Sequence, residues 1–319
     1  MVFKDIRGQD RPLHILRESL RQAHLGGAYL FTGPQGIGKK LTAKALAKAV
    51  NCEESVLDAC GRCASCIKIE NQRHPDVHIL ENEESEIKIE DIRQLQREIC
   101  LRPYEGRTKV FVINNAHTLT MEAAGALLKT LEEPPANSLI ILISDKPTLL
   151  FKTIISRCKI LKFSALERKS LQDICKKEYG VESDLAHFLS FFCEGRLGLA
   201  LRLKDQNMLQ KKNMIIDDFL LSRRHSLSGM ALDDKPLLRS QLNIIAAWFR
   251  DVYLLKIGLA CEELINLDRK PDLLKDANRF TFMELNEIFG SISESISYLE
   301  RNINVKLLMY NLKEQICRG

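Results

Sequence analysis

Five short, mostly apolar runs punctuate the first half of the chain: Ala28 to Phe31, Val77 to Leu80, Val110 to Ile113, Leu139 to Ile143 and Ile160 to Phe163. Each has the length of a strand. Between them, apolar positions recur at helical spacing over Leu41 to Val50, Ile89 to Cys100 and Met121 to Glu132, the last stopped by Pro134-Pro135. Strands alternating with helices predict an α/β domain, a parallel sheet covered on both faces. The stretch Leu139-Ile140-Ile141-Leu142-Ile143 has no polar position, as expected of a strand buried on both sides.

Beyond Leu166 the pattern changes. As far as about Lys204 it is short-helical and broken by Gly180, Gly195 and Gly198, which predicts a small helical domain. Past Asp205 the breakers thin out. Leu242, Ile245, Phe249 and Val252, with Leu307 and Met309, mark the expected buried stripes of an all-helical bundle. The expected divisions are residues 1–164, 165–206 and 207–319.

Composition narrows the class. A chain of 319 residues has room for two average domains or three small ones. With 45% hydrophobic and 28% charged residues it reads as an ordinary globular protein, and a net charge of +5 is too small for a nucleic-acid coat. The longest apolar run, Ile244 to Phe249, falls far short of the roughly 20 residues a membrane helix needs. The charged opening Phe3-Lys4-Asp5 predicts no secretory signal, so the ten cysteines point to the reducing cytoplasm, where thiols serve metals or cores. Secreted, membrane and fibrous classes are excluded on this reading. The basic stretch Ser222-Arg223-Arg224-His225, after Lys211-Lys212, reads as a solvated helix end or loop rather than a phosphate contact.

The sharpest chemistry lies in Gly33-Pro34-Gln35-Gly36-Ile37-Gly38-Lys39-Lys40, between a predicted strand and a predicted helix. Gly33, Gly36 and Gly38 let backbone N–H groups fold around phosphate oxygens, the helix N-terminus adds positive potential, and Lys39 can reach the outer phosphates of ATP or ADP. The next position should carry the Ser or Thr hydroxyl that ligates magnesium, and it is Lys40. An ammonium repels a cation. Thr42, two residues on, points half a turn away around the helix. In nucleotide hydrolases of this type an apolar strand also ends in Asp-Glu, which help hold the metal and polarise the attacking water. Here Val110 to Ile113 ends in Asn114-Asn115, amides that carry no charge and cannot act as a base. Three functions needed for hydrolysis are missing together.

Cys52, Cys60, Cys63 and Cys66 lie within fifteen residues and close on Cys-x-x-Cys-x-x-Cys. Four thiolates so near one another match a tetrahedral structural zinc site with no open position, hence scaffolding rather than catalysis. Disulfides or free thiols are the alternatives, the former disfavoured in a reducing compartment; an iron–sulfur cluster would need a redox role that nothing else suggests. Cys100, Cys158, Cys175, Cys193, Cys261 and Cys317 read as scattered core or surface thiols, and His117 as structural.

Several segments in order, Phe3-Lys4-Asp5-Ile6-Arg7-Gly8-Gln9, Ala28 to Pro34, His74-Pro75-Asp76, Leu127-Leu128-Lys129-Thr130-Leu131-Glu132-Glu133-Pro134-Pro135 and Ile154-Ile155-Ser156-Arg157-Cys158, resemble the bacterial clamp-loader branch of the AAA+ proteins. The resemblance is strong over residues 1–163 and extends further only in helical character and length. It implies an AAA+ domain with a zinc module at about residues 52–66, a helical lid and a C-terminal helical collar. It also implies partners: the gamma/tau motor and delta subunits, with the sliding clamp and primer–template DNA reached through the complex. Within that branch a motor keeps the magnesium-binding and catalytic residues and a second kind of subunit has lost them; Lys40, Asn114 and Asn115 align this chain with the second. Where the motor carries a nucleotide-touching arginine on its helical domain, Glu194 to Leu201 places Gly198, with Arg196 nearby. Spacing alone reads Arg157 as paired with a local carboxylate or solvated. The resemblance instead implies a finger reaching a neighbour's ATP, a role suited to a planar, permanently charged guanidinium.

Overall fold

The computed structural model describes residues 2–22, 25–55, 57–81, 86–222, 227, 229–259, 263–299 and 304–318. The basic stretch at 223–226 and Cys261 lie outside the described residues. The chain forms two compact units, residues 1–166 with 196–198, and residues 167–195 with 199–319.

The first unit is built on five strands, β1 Gly27–Thr32, β2 Val77–Leu80, β3 Lys109–Ile113, β4 Ser138–Ser144 and β5 Lys159–Lys162. All pair in parallel, in the order β2-β3-β4-β1-β5. Six helices accompany them: α1 Asp10–Arg21, α2 Lys39–Asn51, α3 Ala64–Glu70, α4 Ile89–Ile99, α5 Met121–Glu132 and α6 Lys152–Ile155. Strand alternation sorts the core into two faces. Leu139, Ile141 and Ile143 join Val110, Val112, Tyr29 and Phe31 in the cluster that holds Leu13 and Leu16 of α1 and Ala43 and Leu46 of α2. Ile140 and Leu142 join Phe111, Ile113, Ala28 and Leu30 with Ile92 and Leu95 of α4 and Leu127 and Leu131 of α5. Every residue of β4 is buried, which is why no polar position interrupts it.

The edge strand differs from expectation. The strand expected over Ile160 to Phe163 lies one residue earlier, β5 starting at Lys159 and ending at Lys162, and it buries only Leu161, with Lys159, Ile160 and Lys162 exposed. β5 pairs with β1 alone, so its other hydrogen-bonding edge is open, and lysines there discourage further pairing. Phe163 is buried after the strand ends, its N–H donating to the Thr32 carbonyl at 2.8 Å.

Two buried side chains fix the loop entering β3. Asp76 accepts N–H bonds from Tyr104, Glu105 and Gly106 at 2.7–2.9 Å. Asn51, at the end of α2, accepts from Arg107 and Thr108 at 2.8 and 2.9 Å. The same helix is tied to α3 by charge. Lys48 is 1% exposed and donates to Glu70, which also accepts from Lys44 at 3.0 Å. The hydrogen bond from Lys48 outweighs burial and, with Lys44, holds the Glu70 carboxyl down at about 2. A depressed carboxyl stabilises the fold fully above its ordinary pKa of 4.5, and that contribution is lost as pH falls toward 2. Glu70→Gln removes the carboxylate charge beside the buried Lys48 ammonium and is expected to lower stability by about 2 kcal/mol at pH 7, part of the effect being screened because Glu70 is half-exposed. Urea titrations of both proteins at pH 7 and at pH 3 check this; the gap between them is smaller at pH 3, where part of the contribution is already lost.

The second unit is helical: α7 Arg168–Tyr179, α8 Ser183–Phe192, most of α9 Leu197–Asp205, α10 Met208–Ile215 continued by a π-turn, α11 Lys235–Lys256, α12 Lys270–Arg279, α13 Phe282–Tyr298 and α14 Val305–Arg318. Leu242, Ile245, Phe249 and Val252 of α11 are all fully buried. Of the two positions singled out on α14, Met309 is buried, with Leu312 and Ile316 beside it, whereas Leu307 is 59% exposed, because residues two apart lie on opposite sides of a helix. Two large buried side chains here are paired: Trp248 donates to Asp276 at 2.9 Å, and Lys212 to Asp268 at 2.6 and 2.7 Å. Among the described residues no helix is long and apolar enough to cross a membrane.

Candidate functional site

The phosphate loop joins β1 to α2 at the C-terminal edge of the sheet. Its glycines are required by shape. Gly33 has φ +139°, and a Cβ there would lie 2.3 Å from the Phe163 carbonyl; Gly38, at φ +100°, is the left-handed residue from which α2 starts. Gln9, 2% exposed, staples the loop's surroundings: its amide donates to the Ser164 carbonyl at 2.7 Å and accepts from the Ser164 N–H at 3.2 Å.

Lys39 turns back onto the loop, donating to the carbonyls of Gly33 and Pro34, the latter at 2.7 Å. Burial lowers its pKa to about 8, with Asp145 opposing the shift. Lys40 occupies the hydroxyl position and pairs at 2.6 Å with Glu81, just beyond β2. Thr42 is fully buried and its hydroxyl donates to the Gly38 carbonyl at 2.9 Å, within its own helix. No hydroxyl therefore replaces the missing magnesium ligand at this turn. Asn114 and Asn115 follow β3, Asn115 with φ +54°. Beside them His117 Nδ1 lies 3.3 Å from Ser144 Oγ and 3.4 Å from Asp145 Oδ1, and burial keeps its pKa below the usual histidine value despite Asp145.

Asp145 and Glu81 are polar groups of the site that sequence patterning does not single out, and Gln9 enters it only within the segment Phe3 to Gln9 that carries the resemblance. The signal for Asp145 is positional: it is the first charged residue after an uninterrupted apolar strand, where strand ends meet ligands in parallel sheets. Gly198, which belongs to this same unit, donates its N–H to the Gly36 carbonyl at 2.8 Å, and a Cβ at Gly198 would meet that oxygen at 2.8 Å. A side chain at this position has no room without movement.

Arg157 follows α6. Its Nη1 donates to the Thr153 carbonyl at 2.9 Å, and its Nε and Nη2 reach Glu132 Oε1 at the end of α5. In the isolated chain the arginine thus has a local carboxylate partner, and none of its hydrogen bonds goes to the phosphate loop.

The four cysteines come together. The Sγ atoms of Cys52, Cys60, Cys63 and Cys66 lie within 4.8 Å of one another, in a small core of their own with Ala59. Backbone N–H groups point at the sulfurs: Cys60 to Cys52 at 3.4 Å, Cys63 to Cys60 at 3.2 Å and Cys66 to Cys63 at 3.4 Å. Burial opposes ionisation of Cys52, but N–H groups of Cys60, Glu54 and Ser55 outweigh it and bring the thiol to about 7. Burial and the neighbouring sulfurs push Cys66 well up. A set of soft donors this close, with amides arranged to stabilise thiolates, fits a closed structural metal site.

A five-stranded parallel sheet, a phosphate loop opening α2 and a four-cysteine insertion define an AAA+-type domain followed by a helical region. A Thermotoga maritima protein described as related to the DNA polymerase III gamma subunit shares this fold over 96% of the chain and 99% of its own, with a TM-score of 0.54 at 18% identity. The profile "DNA polymerase III, delta subunit" matches residues 8–167, and "DNA polymerase III, delta subunit, C terminal" matches residues 212–315. The chain belongs to this clamp-loader subunit family of DNA polymerase III, on its delta-prime side, and its field is DNA replication. It is 29% identical to the delta-prime subunit of Bacillus subtilis across 98% of its length and 97% of the relative's. It is 38% identical to the tau subunit of Escherichia coli, but over 64% of this chain and only 33% of tau.

Proposed function

We propose that this chain is a non-hydrolysing member of the clamp loader that holds its architecture steady and lends Arg157 to the ATP site of a neighbouring motor subunit. The observation that carries the reading is the phosphate loop: the position of the magnesium-binding hydroxyl is Lys40, paired with Glu81, while the acidic positions are Asn114 and Asn115. A fixed ammonium stands where a divalent ion would be gripped, and no carboxylate follows β3 to hold a metal or prime a water. Gly33, Gly36, Gly38 and Lys39 remain as a cradle able to take phosphate, without the groups that cleave it. Arg157, kept while these are lost, is the functional group offered outward.

In this reading residues 165–206 serve as a lid and 207–319 as a collar that joins neighbouring subunits. The gamma/tau and delta subunits are the direct partners, with the sliding clamp and primer–template DNA reached through the complex, in the cytoplasm. Cys52, Cys60, Cys63 and Cys66 would hold zinc, which supplies a rigid cross-link between α2 and α3 and no chemistry on substrate.

The purified chain with magnesium and ATP is expected to show no turnover above background. Lys40→Thr alone is not expected to create any, because Asn114 and Asn115 still lack charge. Adding the wild-type chain to motor subunits is expected to raise their DNA-dependent turnover. Magnesium-dependent hydrolysis by the chain alone would instead favour a motor of the gamma/tau kind, and steady-state phosphate release decides between the two.

A further inference from the structure

We propose that Glu132 is the positioning residue of the finger: it holds Arg157 against its own domain and yields it when a triphosphate is presented across a subunit boundary. The inference rests on the finger reading above. Thr153 and Ser156, which accept from Arg157 Nη1 at 2.9 and 3.4 Å, belong to α6 and the residue after it and travel with the arginine's own turn. Glu132 comes from a separate helix, and its Oε1 takes both Nε and Nη2. Those two donors form the fork with which a guanidinium grips paired phosphate oxygens. The contact to Glu132 is therefore the one that must break before the finger can be used.

The pair is poised to exchange. The Arg157 and Glu132 side chains are 31% and 48% exposed, so water screens the attraction, and pairs of this kind bias an equilibrium by about two- to fivefold. The terminal phosphate of ATP carries more charge than a carboxylate and offers more acceptor oxygens, so exchange runs forward once ATP is in reach. Glu132 then sets how readily the finger leaves.

The test is Glu132→Gln in the reconstituted clamp loader, in wild-type and Arg157→Ala backgrounds, with kcat and KM for ATP measured separately. Glu132→Gln is expected to raise kcat/KM about two- to fivefold through a lower KM with kcat unchanged, because the cost removed is common to the bound ground state and the transition state. In the Arg157→Ala background the same change is expected to do nothing. In the free chain, the Arg157 Nε–H resonance is expected to exchange faster with water once Glu132 is replaced. An unchanged or lowered kcat/KM, or a rise that persists without Arg157, overturns the positioning role. If Arg157→Ala alone leaves turnover at the wild-type level, the finger reading falls and this inference with it, while the resonance still reports whether the pair forms.

Discussion

Replacing Arg157 by alanine is expected to slow hydrolysis at the ATP site it faces by about 10³-fold or more, the range found when an arginine finger is withdrawn from phosphoryl transfer. Assembly is expected to survive. In the isolated chain the residue's links are to Glu132 and to the carbonyl of Thr153, on a half-exposed surface, where such contacts contribute at most about 1 kcal/mol. The large effect on rate and the small effect on folding separate a group that acts on another subunit from one that holds its own domain. Arg157→Lys is expected to restore little, since an ammonium is a point charge and cannot bridge two phosphate oxygens in a plane. Bulk turnover would understate the loss, because other sites in the complex go on working. Single-turnover hydrolysis by reconstituted complexes, with clamp and primed DNA, resolves the affected site. Equal rates for wild type and Arg157→Ala would remove the finger role.

What sequence patterning reveals of this site is what depends on near neighbours. The phosphate loop is legible because its glycines, Lys39 and Lys40 lie within eight consecutive residues, and Gly33, Gly36 and Gly38 take the positive backbone angles that glycine permits. The cysteine cluster is legible for the same reason: four thiols that come together within fifteen residues write their spacing into the chain. Helix α5 runs from Met121 to Glu132 as its periodicity predicts, with Thr120 accepting from the Ala123 N–H at one end and prolines at the other. The groups that escape are those whose partners lie far along the chain. Gln9 bonds to Ser164, Asp76 pins residues 104–106, and Lys40 finds Glu81; nothing local to any of these residues names the other. Arg157 lies between the two cases. A nearby carboxylate could be anticipated, but only the packing of α5 beside α6 selects Glu132 over Glu133. Gly198 is a sharper instance, since only the approach of Gly36 explains why no side chain stands there.

Stripping the metal from the cysteine cluster, or replacing Cys66 with serine, is expected to disorder the segment from Cys52 to Cys66 while the sheet stays folded. The two effects separate because the cores are separate: Cys52, Ala59, Cys63 and Cys66 form a cluster of their own, apart from the two apolar layers that sandwich the strands. So small a core cannot offset the entropy of ordering its loops, and metal binding in small zinc modules supplies on the order of 10 kcal/mol of folding free energy. Cys66 is the informative position. It is fully buried and sits in the first turn of α3, where its backbone N–H donates to Cys63 Sγ, so replacing it by serine removes one ligand while leaving that backbone hydrogen bond available. Serine keeps the size but gives a hard oxygen that ligates zinc poorly. On the zinc reading proposed above, metal analysis is expected to fall from one zinc per chain to none, and proteolysis to cut first between residues 52 and 66. With α3 released, Glu70 no longer reaches Lys48, so the stability lost with the metal should include most of what Glu70→Gln removes alone. Combining Cys66→Ser with Glu70→Gln therefore tests the coupling directly: a double variant about as stable as Cys66→Ser shows that the metal acts by seating α3 on α2, whereas fully additive losses would mean that α3 stays docked without it.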